Sequence, residues 1–329
     1  MTLSAMERSL GPDPLRHAVE LPYHARLYPI GFPLEIATNS KNILPAAHQS
    51  WSDFPAAFEQ KAAVHLRIVV EDAEGGGLPA PPRYQAQGHL LAVVSDAANF
   101  AVCDFETGFL FCRLNPDAAT ATAWVRHFFL DPIVYTALDH LYVTAVHAAC
   151  VVRSGRGVML SGRSGAGKSV LSLACAQKGW TFITDDVAYL VNGEPGRCVL
   201  GKPAWIRFKP SAADLFPALK DRKPAIDSVG QTIVECRTGE LGIASMAHSC
   251  QVDHLVFLNR SASGSSRCVA VSRQDALQRL LRELPLYNSK VYETHTNTLN
   301  RLLEAGAYEL RYSSLVEGVR LLDQLTARG

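Results

Sequence analysis

Long apolar runs are missing from this chain of 329 residues. No stretch approaches the roughly 20 apolar residues that a membrane-spanning helix needs. Residues 1–8 lack the hydrophobic region of a secretory signal, so the cytoplasm is the expected location. No C-x-x-C pair occurs among the 8 cysteines, which are scattered and sit mostly in apolar runs. That pattern argues against a zinc ribbon or a disulfide framework and predicts buried free thiols. An excess of either charge is also missing: Lys+Arg 32 against Asp+Glu 31 leaves a formal net charge of +1. So even a balance points neither to nucleic acid nor to an acidic membrane surface as partner. No internal repeat is visible.

What is present is the composition of a globular chain, 48% hydrophobic and 19% charged. The length predicts two domains, or one large domain with an additional lobe. Residues 1–22 are polar with scattered prolines and predict a loose arm. Strands are predicted over 28–37, 65–71, 89–95, 100–105 and 108–114. A loop over 72–83 carries Gly75, Gly76, Gly77, Pro79, Pro81 and Pro82. Together these form a small β-rich N-terminal lobe, residues 1–114. Asn115 or Asp117 then caps a helical stretch that stutters at Asp131-Pro132 and resumes to about residue 142. Over 115–329 strands and helices alternate, as in an α/β domain. Strands are predicted over 146–153, 157–161, 181–184, 186–191, 204–208 and 252–259. Helices are predicted over 273–284, 298–304 and 315–326, with a polar turn over 261–266.

The octapeptide Gly162-Arg163-Ser164-Gly165-Ala166-Gly167-Lys168-Ser169 reads G-x-x-x-x-G-K-[ST], the phosphate-binding P-loop. Its glycines let the backbone curl so that amide N–H groups point at phosphate oxygens. Lys168 supplies a point charge for the β- and γ-phosphates, and the Ser169 hydroxyl can ligand Mg²⁺. The start of the following helix adds its positive dipole end. The context is the required one. An apolar run over 157–161 precedes the loop, and helical spacing over 169–178 follows it, with Gly179 as the stop.

After that helix, Trp180-Thr181-Phe182-Ile183-Thr184 leads into Asp185-Asp186. Phosphoryl transfer to a hydroxyl needs two acidic functions: one carboxylate for Mg²⁺ or its water shell, and one to accept the proton. Adjacent residues on an extended strand point to opposite faces, so both serve only if the strand ends or twists there.

His147 ahead of an apolar run, the loop from Gly162 to Ser169, Gly179-Trp180 and the pair Asp185-Asp186 together resemble the catalytic domain of HPr kinase/phosphorylase. The layout is similar from about residue 140 onward, and the motifs match over 147–190. The chain is similar to the divergent HPr-kinase-related branch. Some members of that branch accompany peptide-modifying gene clusters and phosphorylate a serine of a precursor peptide. The resemblance implies a strongly twisted mixed sheet with surrounding helices, like that of phosphoenolpyruvate carboxykinase, and ATP with Mg²⁺ as cofactors. Lys168 would grip the phosphates, Ser169 and Asp186 would hold Mg²⁺, Asp185 would be the general base, and His147 would orient the acidic pair. A homo-oligomer is also implied, since hexamers are familiar in the bifunctional enzymes. Those enzymes carry a Glu-Ile-Arg-Gly-type segment that neither 202–210 nor Glu235-Cys236-Arg237 reproduces, so phosphorylase activity is not expected.

Arg207 and Lys209 alternate with Ile206 and Phe208 and therefore share a strand face. They suit γ-phosphate charge or an acidic substrate, and an exposed strand face explains them equally well. Lys202 and Arg237 are weaker candidates. The punctuated region 210–230, with Lys220-Asp221-Arg222-Lys223, reads as a solvated loop. Residues 293–297 read as a helix start, and Tyr287 and Tyr292 as core or interface groups. The expected activity is a kinase acting on a serine-type hydroxyl of a peptide or small protein. The alternatives are a small-molecule hydroxyl kinase, with 204–230 closing over a metabolite, and a non-catalytic nucleotide-binding regulator. Deep apolar closure around the loop would favour the metabolite; an open groove flanked by the β-lobe would favour the peptide.

Overall fold

The computed structural model describes residues 19–72, 77–193, 196–226, 230–261, 264–285 and 288–327. Residues 1–18 of the expected arm, Gly75 and Gly76 of the loop, residues 262–263 of the polar turn, 227–229 of the solvated loop and Tyr287 lie outside them.

The first sheet holds β1 (Tyr23–Leu27), β2 (Leu34–Thr38), β3 (Val64–Val70), β4 (Arg83–Gln87), β5 (Leu90–Val94), β6 (Phe100–Asp104) and β7 (Phe109–Leu114). Their order is β1-β2-β3-β7-β6-β5-β4, with β3 parallel to both its neighbours. The single strand expected over 28–37 is broken. Pro29–Gly31 forms a tight turn with Ile30 at φ 45° and Gly31 at φ 93°, and β1 folds back antiparallel onto β2. Pro29 and Pro33 have no N–H to give a ladder, which is why the run cannot continue. Helix α1 (Ile43–Trp51), absent from the sequence reading, lays Ile43, Ala46, Ala47 and Trp51 on this sheet.

Asn115 does cap a helix: its side-chain oxygen accepts from the Ala118 amide at 2.7 Å, opening α2 (Pro116–Thr120). Then follow α3 (Thr122–Val125), a π-helical turn over Arg126–Leu130, and α4 (Asp131–Leu141). The expected stutter is that wide turn, set beside Pro132, which lacks an amide donor. The apolar cluster behind the first sheet continues past residue 115: Leu66 and Leu110 share it with Phe129, Leu130, Ile133 and Val134.

Next come β8 (Val143–Val146), β9 (Ala148–Arg153), β10 (Arg156–Ser161), α5 (Lys168–Gln177), β11 (Thr181–Thr184), β12 (Ala188–Val191) and β13 (Cys198–Leu200). A separate three-stranded sheet contains β14 (Trp205–Phe208), β15 (Ala225–Ile226) and β16 (Thr232–Arg237). The chain ends with β17 (Ser249–Arg260), β18 (Arg267–Ala270), α6 (Arg273–Leu281), α7 (Ser289–Leu302), β19 (Gly306–Tyr312) and α8 (Leu315–Ala327). Helix α7 starts well before the expected residue 298, capped by the Asn288 side chain. Its buried positions include His295 and Thr298 beside Leu299 and Leu302, so the polar stripe hid the helical period.

The large sheet runs β11-β9-β10-β17-β13-β12-β8, with β19 added on β17. It is mixed: β17 is parallel to β10 and β19 and antiparallel to β13. Laid flat, five strand spacings, about 24 Å, would separate β9 from β8. Yet His147 alone joins them, and one residue reaches only about 7 Å. The sheet must therefore curl. Long β17 makes the bend, pairing β13 through 249–251 and β10 through 252–257. One apolar cluster accordingly takes Cys150 and Met159 from one half and Leu190 and Val199 from the other. The molecule is a mixed α/β fold with several mixed sheets and surrounding helices. Among the described residues no helix is long and apolar enough to cross a membrane. All eight cysteines are free thiols, buried or half-buried.

One close backbone approach in this curl lies next to the acidic pair. A Cβ on Gly201 would stand 2.3 Å from the Ile183 carbonyl oxygen. Gly201→Ala is expected to cost about 1–3 kcal/mol in urea unfolding. Gly239→Ala, with nothing within 4 Å of its Cβ position, should leave the transition where it is.

Candidate active site

Two corners of the curled sheet meet at the site. His147 lies between β8 and β9, and residues 185–187 lie between β11 and β12. Because β8 pairs with β12 and β9 with β11, the corners are neighbours on both sides. The His147 Nε2 atom stands 3.2 Å from Asp186 Oδ1. The Thr184 hydroxyl donates to the Val187 carbonyl at 3.0 Å and fixes the second corner. The strand ends before the aspartates, so the two carboxylates leave in different directions. Asp185 is buried, at 4% exposure, while the Asp186 side chain is 41% exposed.

The glycine loop lies between β10 and α5. Gly165 and Gly167 have φ of 86° and 97°, the left-handed region that glycine tolerates. A Cβ on Gly167 would also stand 2.8 Å from the Tyr312 hydroxyl oxygen. That hydroxyl, at the end of β19, donates to the Ala166 carbonyl at 3.3 Å and braces the loop from behind. Lys168 is buried, and its Nζ donates to the Gly162 carbonyl at 2.6 Å and the Arg163 carbonyl at 3.4 Å. Burial lowers its pKa, while Asp186, Glu283 and Asp185 pull it back up.

Burial pushes the Asp185 carboxyl up to about 7, and the Asp186 charge adds to the rise. The Arg207 amide, which donates to Asp185 Oδ2 at 3.0 Å, and the Ser169 hydroxyl work against it. Burial would raise Asp186 too. Its hydrogen bond with His147 and the charges of His147, Lys202 and Arg207 outweigh that and hold it low. One carboxyl is thus poised to take a proton and the other stays ionised.

Arg207 reaches the site from β14 and is held by Glu235 of β16, its Nε donating to Oε1 at 2.9 Å. The other Glu235 oxygen accepts from Arg126, on the π-helical turn. The Arg207 cation is held charged, its pKa raised against the effect of burial by Glu235 and Asp131. Lys202 Nζ sits 4.3 Å from the Tyr135 ring centroid.

A cleft of about 640 Å³ gathers most of the anticipated residues: His147, Ser164, Gly165, Gly167, Lys168, Ser169, Asp186, Arg207 and Lys209. The volume is that of a small-molecule site. Arg163 is exposed at the rim of the loop, and Gly162 contributes the carbonyl that accepts from Lys168. Asp185 lines a different space, a cavity of about 40 Å³ behind the aspartate corner. Asp186 and Arg207 line both and form the wall between them. Among the described residues no group of three or more His, Cys, Asp or Glu is placed to hold a metal. Magnesium bound with a nucleotide takes only one or two protein oxygens beside phosphates and waters. The Ser169 hydroxyl and Asp186 carboxylate on the cleft wall fit that demand. Arg126 and Tyr312 escaped the sequence reading, since their partners Glu235 and Ala166 lie far along the chain.

Two expectations follow for stability and loop shape. Glu235→Gln leaves Arg126 and Arg207 without their shared countercharge and should cost roughly 3 kcal/mol in chemical denaturation. Gly167→Ala forces both the positive φ and the Tyr312 contact; it should abolish nucleotide binding in calorimetry with little loss of far-UV signal.

No protein-family model and no curated protein matches the chain. Among solved structures it is similar to the Hpr(Ser) kinase/phosphatase from Coxiella burnetii, at TM-score 0.31 and 15% identity, covering 56% of this chain and 99% of that one. A likeness of that size leaves the activity to be argued from the residues themselves.

Proposed function

We propose that the protein is a cytoplasmic phosphotransferase that moves the γ-phosphate of ATP to a serine-type hydroxyl of a peptide or small protein, without phosphorylase activity. The observation that carries this reading is the convergence of the glycine loop, Lys168, Ser169, Asp186 and His147 on one cleft, with Asp185 just behind it. The loop amides and Lys168 would bind the β- and γ-phosphates, with Arg207 and Lys209 facing the γ-phosphate. Ser169 and Asp186 would hold Mg²⁺, which when bound neutralises charge building on the phosphate oxygens. The acceptor oxygen's lone pair attacks the γ-phosphorus in line. The bond from that phosphorus to the bridging oxygen breaks, ADP leaves, and the hydroxyl proton passes to the Asp185 carboxylate. His147 keeps Asp186 oriented. Most of the rate gain is positioning and charge neutralisation.

The N-terminal lobe, residues 1–114, is assigned to recognition, and 115–329 to catalysis. Ser50, Asp53 and Phe54, just past α1 or at its end, reach the aspartate side of the site. The peptide is favoured over a metabolite because the space around the loop is wide and open to solvent, its lining mixing polar groups with apolar ones such as Val187, Phe208 and Ile233 and not closing over the loop.

Asp185→Asn is expected to lower kcat by about 10²–10⁴ with ATP affinity nearly unchanged. Lys168→Ala should weaken ATP binding itself. Steady-state phosphate transfer and calorimetric titration of Mg·ATP separate the two. Full function with Asp185→Asn would favour the nucleotide-binding regulator instead.

A further inference from the structure

The small cavity behind the aspartates has unusual walls. Ser50 Oγ, Arg126 Nε, Asp131 Oδ1, Trp205 Nε1 and His248 Nδ1 all belong to its lining residues. Each is buried and has no hydrogen-bond partner among the described residues. Arg126 itself is only 4% exposed. Buried polar atoms are nearly always satisfied, so five orphans on residues that line one void mark a place where a polar group can be received once those side chains turn toward it. At about 40 Å³ the void has room for roughly three waters. That is the size of a hydroxymethyl group and too small for a metabolite.

The cavity does not end blindly. Asp53, Pro203, Ala204 and His248 also line a solvent-open groove of about 510 Å³. Trp205 stands where the two spaces meet, its ring 5.3 Å from the Arg126 guanidinium carbon and 4.7 Å from that of Arg237, which lines the groove. A narrow throat between Asp53, Pro203, Ala204 and His248, opening into an open groove, suits an extended chain that inserts one short side chain.

We propose that the acceptor is a peptide lying in this groove, with its seryl side chain passed through the throat beside Trp205 to reach Asp185 from the side away from the glycine loop. The inference rests on the kinase reading above. Nucleotide and acceptor then enter by separate faces and meet at the wall made by Asp186 and Arg207. In the transfer the seryl oxygen bonds to the γ-phosphorus, the bond to ADP breaks, and the seryl proton goes to Asp185. The buried donors of Arg126 and Trp205 hold the entering group.

The test uses the full chain, γ-labelled ATP with Mg²⁺, and a pool of peptides carrying a fixed central serine in randomised flanks. Ala204→Leu narrows the throat, and Trp205→Phe removes the indole donor while keeping an aromatic ring between Arg126 and Arg237. Wild type should label the pool. Ala204→Leu should lower kcat/KM for peptide by at least ~10-fold and Trp205→Phe by ~5-fold, with ATP affinity within ~2-fold of wild type in both. Should Ala204→Leu unfold, Trp205→Phe decides by the same readout. Undiminished peptide transfer in a folded variant overturns the inference and leaves the kinase reading standing. Tight ATP binding by wild type with no peptide labelled overturns both, and a throat filled only by structural water is then its remaining role.

Discussion

The link between Val146 and Ala148 is one residue long, and the strands it joins belong to opposite ends of the sheet order. A flat sheet cannot satisfy that link, so the two halves must curl together. The link between β11 and β12 is nearly as short and joins the same two regions. Pairing of β8 with β12 and of β9 with β11 then leaves the corners no choice but to lie side by side. His147 and the aspartates meet because of chain connectivity, before any attraction between them is counted. The contact between His147 and Asp186 is half-exposed and contributes little to holding the fold.

Apolar packing explains why charge is buried there. Phe182, Ile183 and Tyr189 flank the aspartate corner, and each packs in a different hydrophobic cluster. The corner is where three cores meet, and the seam between them is filled by Asp185, Arg207, Glu235 and Arg126. A seam of this sort is costly unless every charge has a partner. Glu235 answers both arginines, the Arg207 amide answers Asp185, and aromatic faces answer Lys202. The low local dielectric also sets the division of labour between the aspartates, one raised and one held low.

Much of this was legible in the sequence because it is local. Strand, glycine loop and helix over 156–177 follow from apolar runs and residue types within 22 positions. The caps at Asn115 and the break near Pro132 likewise declare themselves through missing or supplied hydrogen bonds. The pairing of His147 with Asp185-Asp186 came from resemblance to a family. What stayed hidden depends on contacts between distant segments. Arg126 and Glu235 are 109 positions apart, and Tyr312 lies 146 from the loop carbonyl it braces. Nor does spacing say which aspartate turns inward, since that is decided by where the strand stops. Helix α1 and the first turns of α7 were missed for a different reason: small or polar residues on their buried faces weakened the apolar period.

The central claim is that the two cavities meeting at the aspartate wall serve one phosphoryl transfer. Its most direct measurement is incubation of the purified protein with γ-labelled ATP, Mg²⁺ and an extract of its own cells, separated afterwards into peptide and metabolite fractions. Label in a seryl phosphate of the peptide fraction is the predicted result. Bound ATP with label in neither fraction would contradict the account.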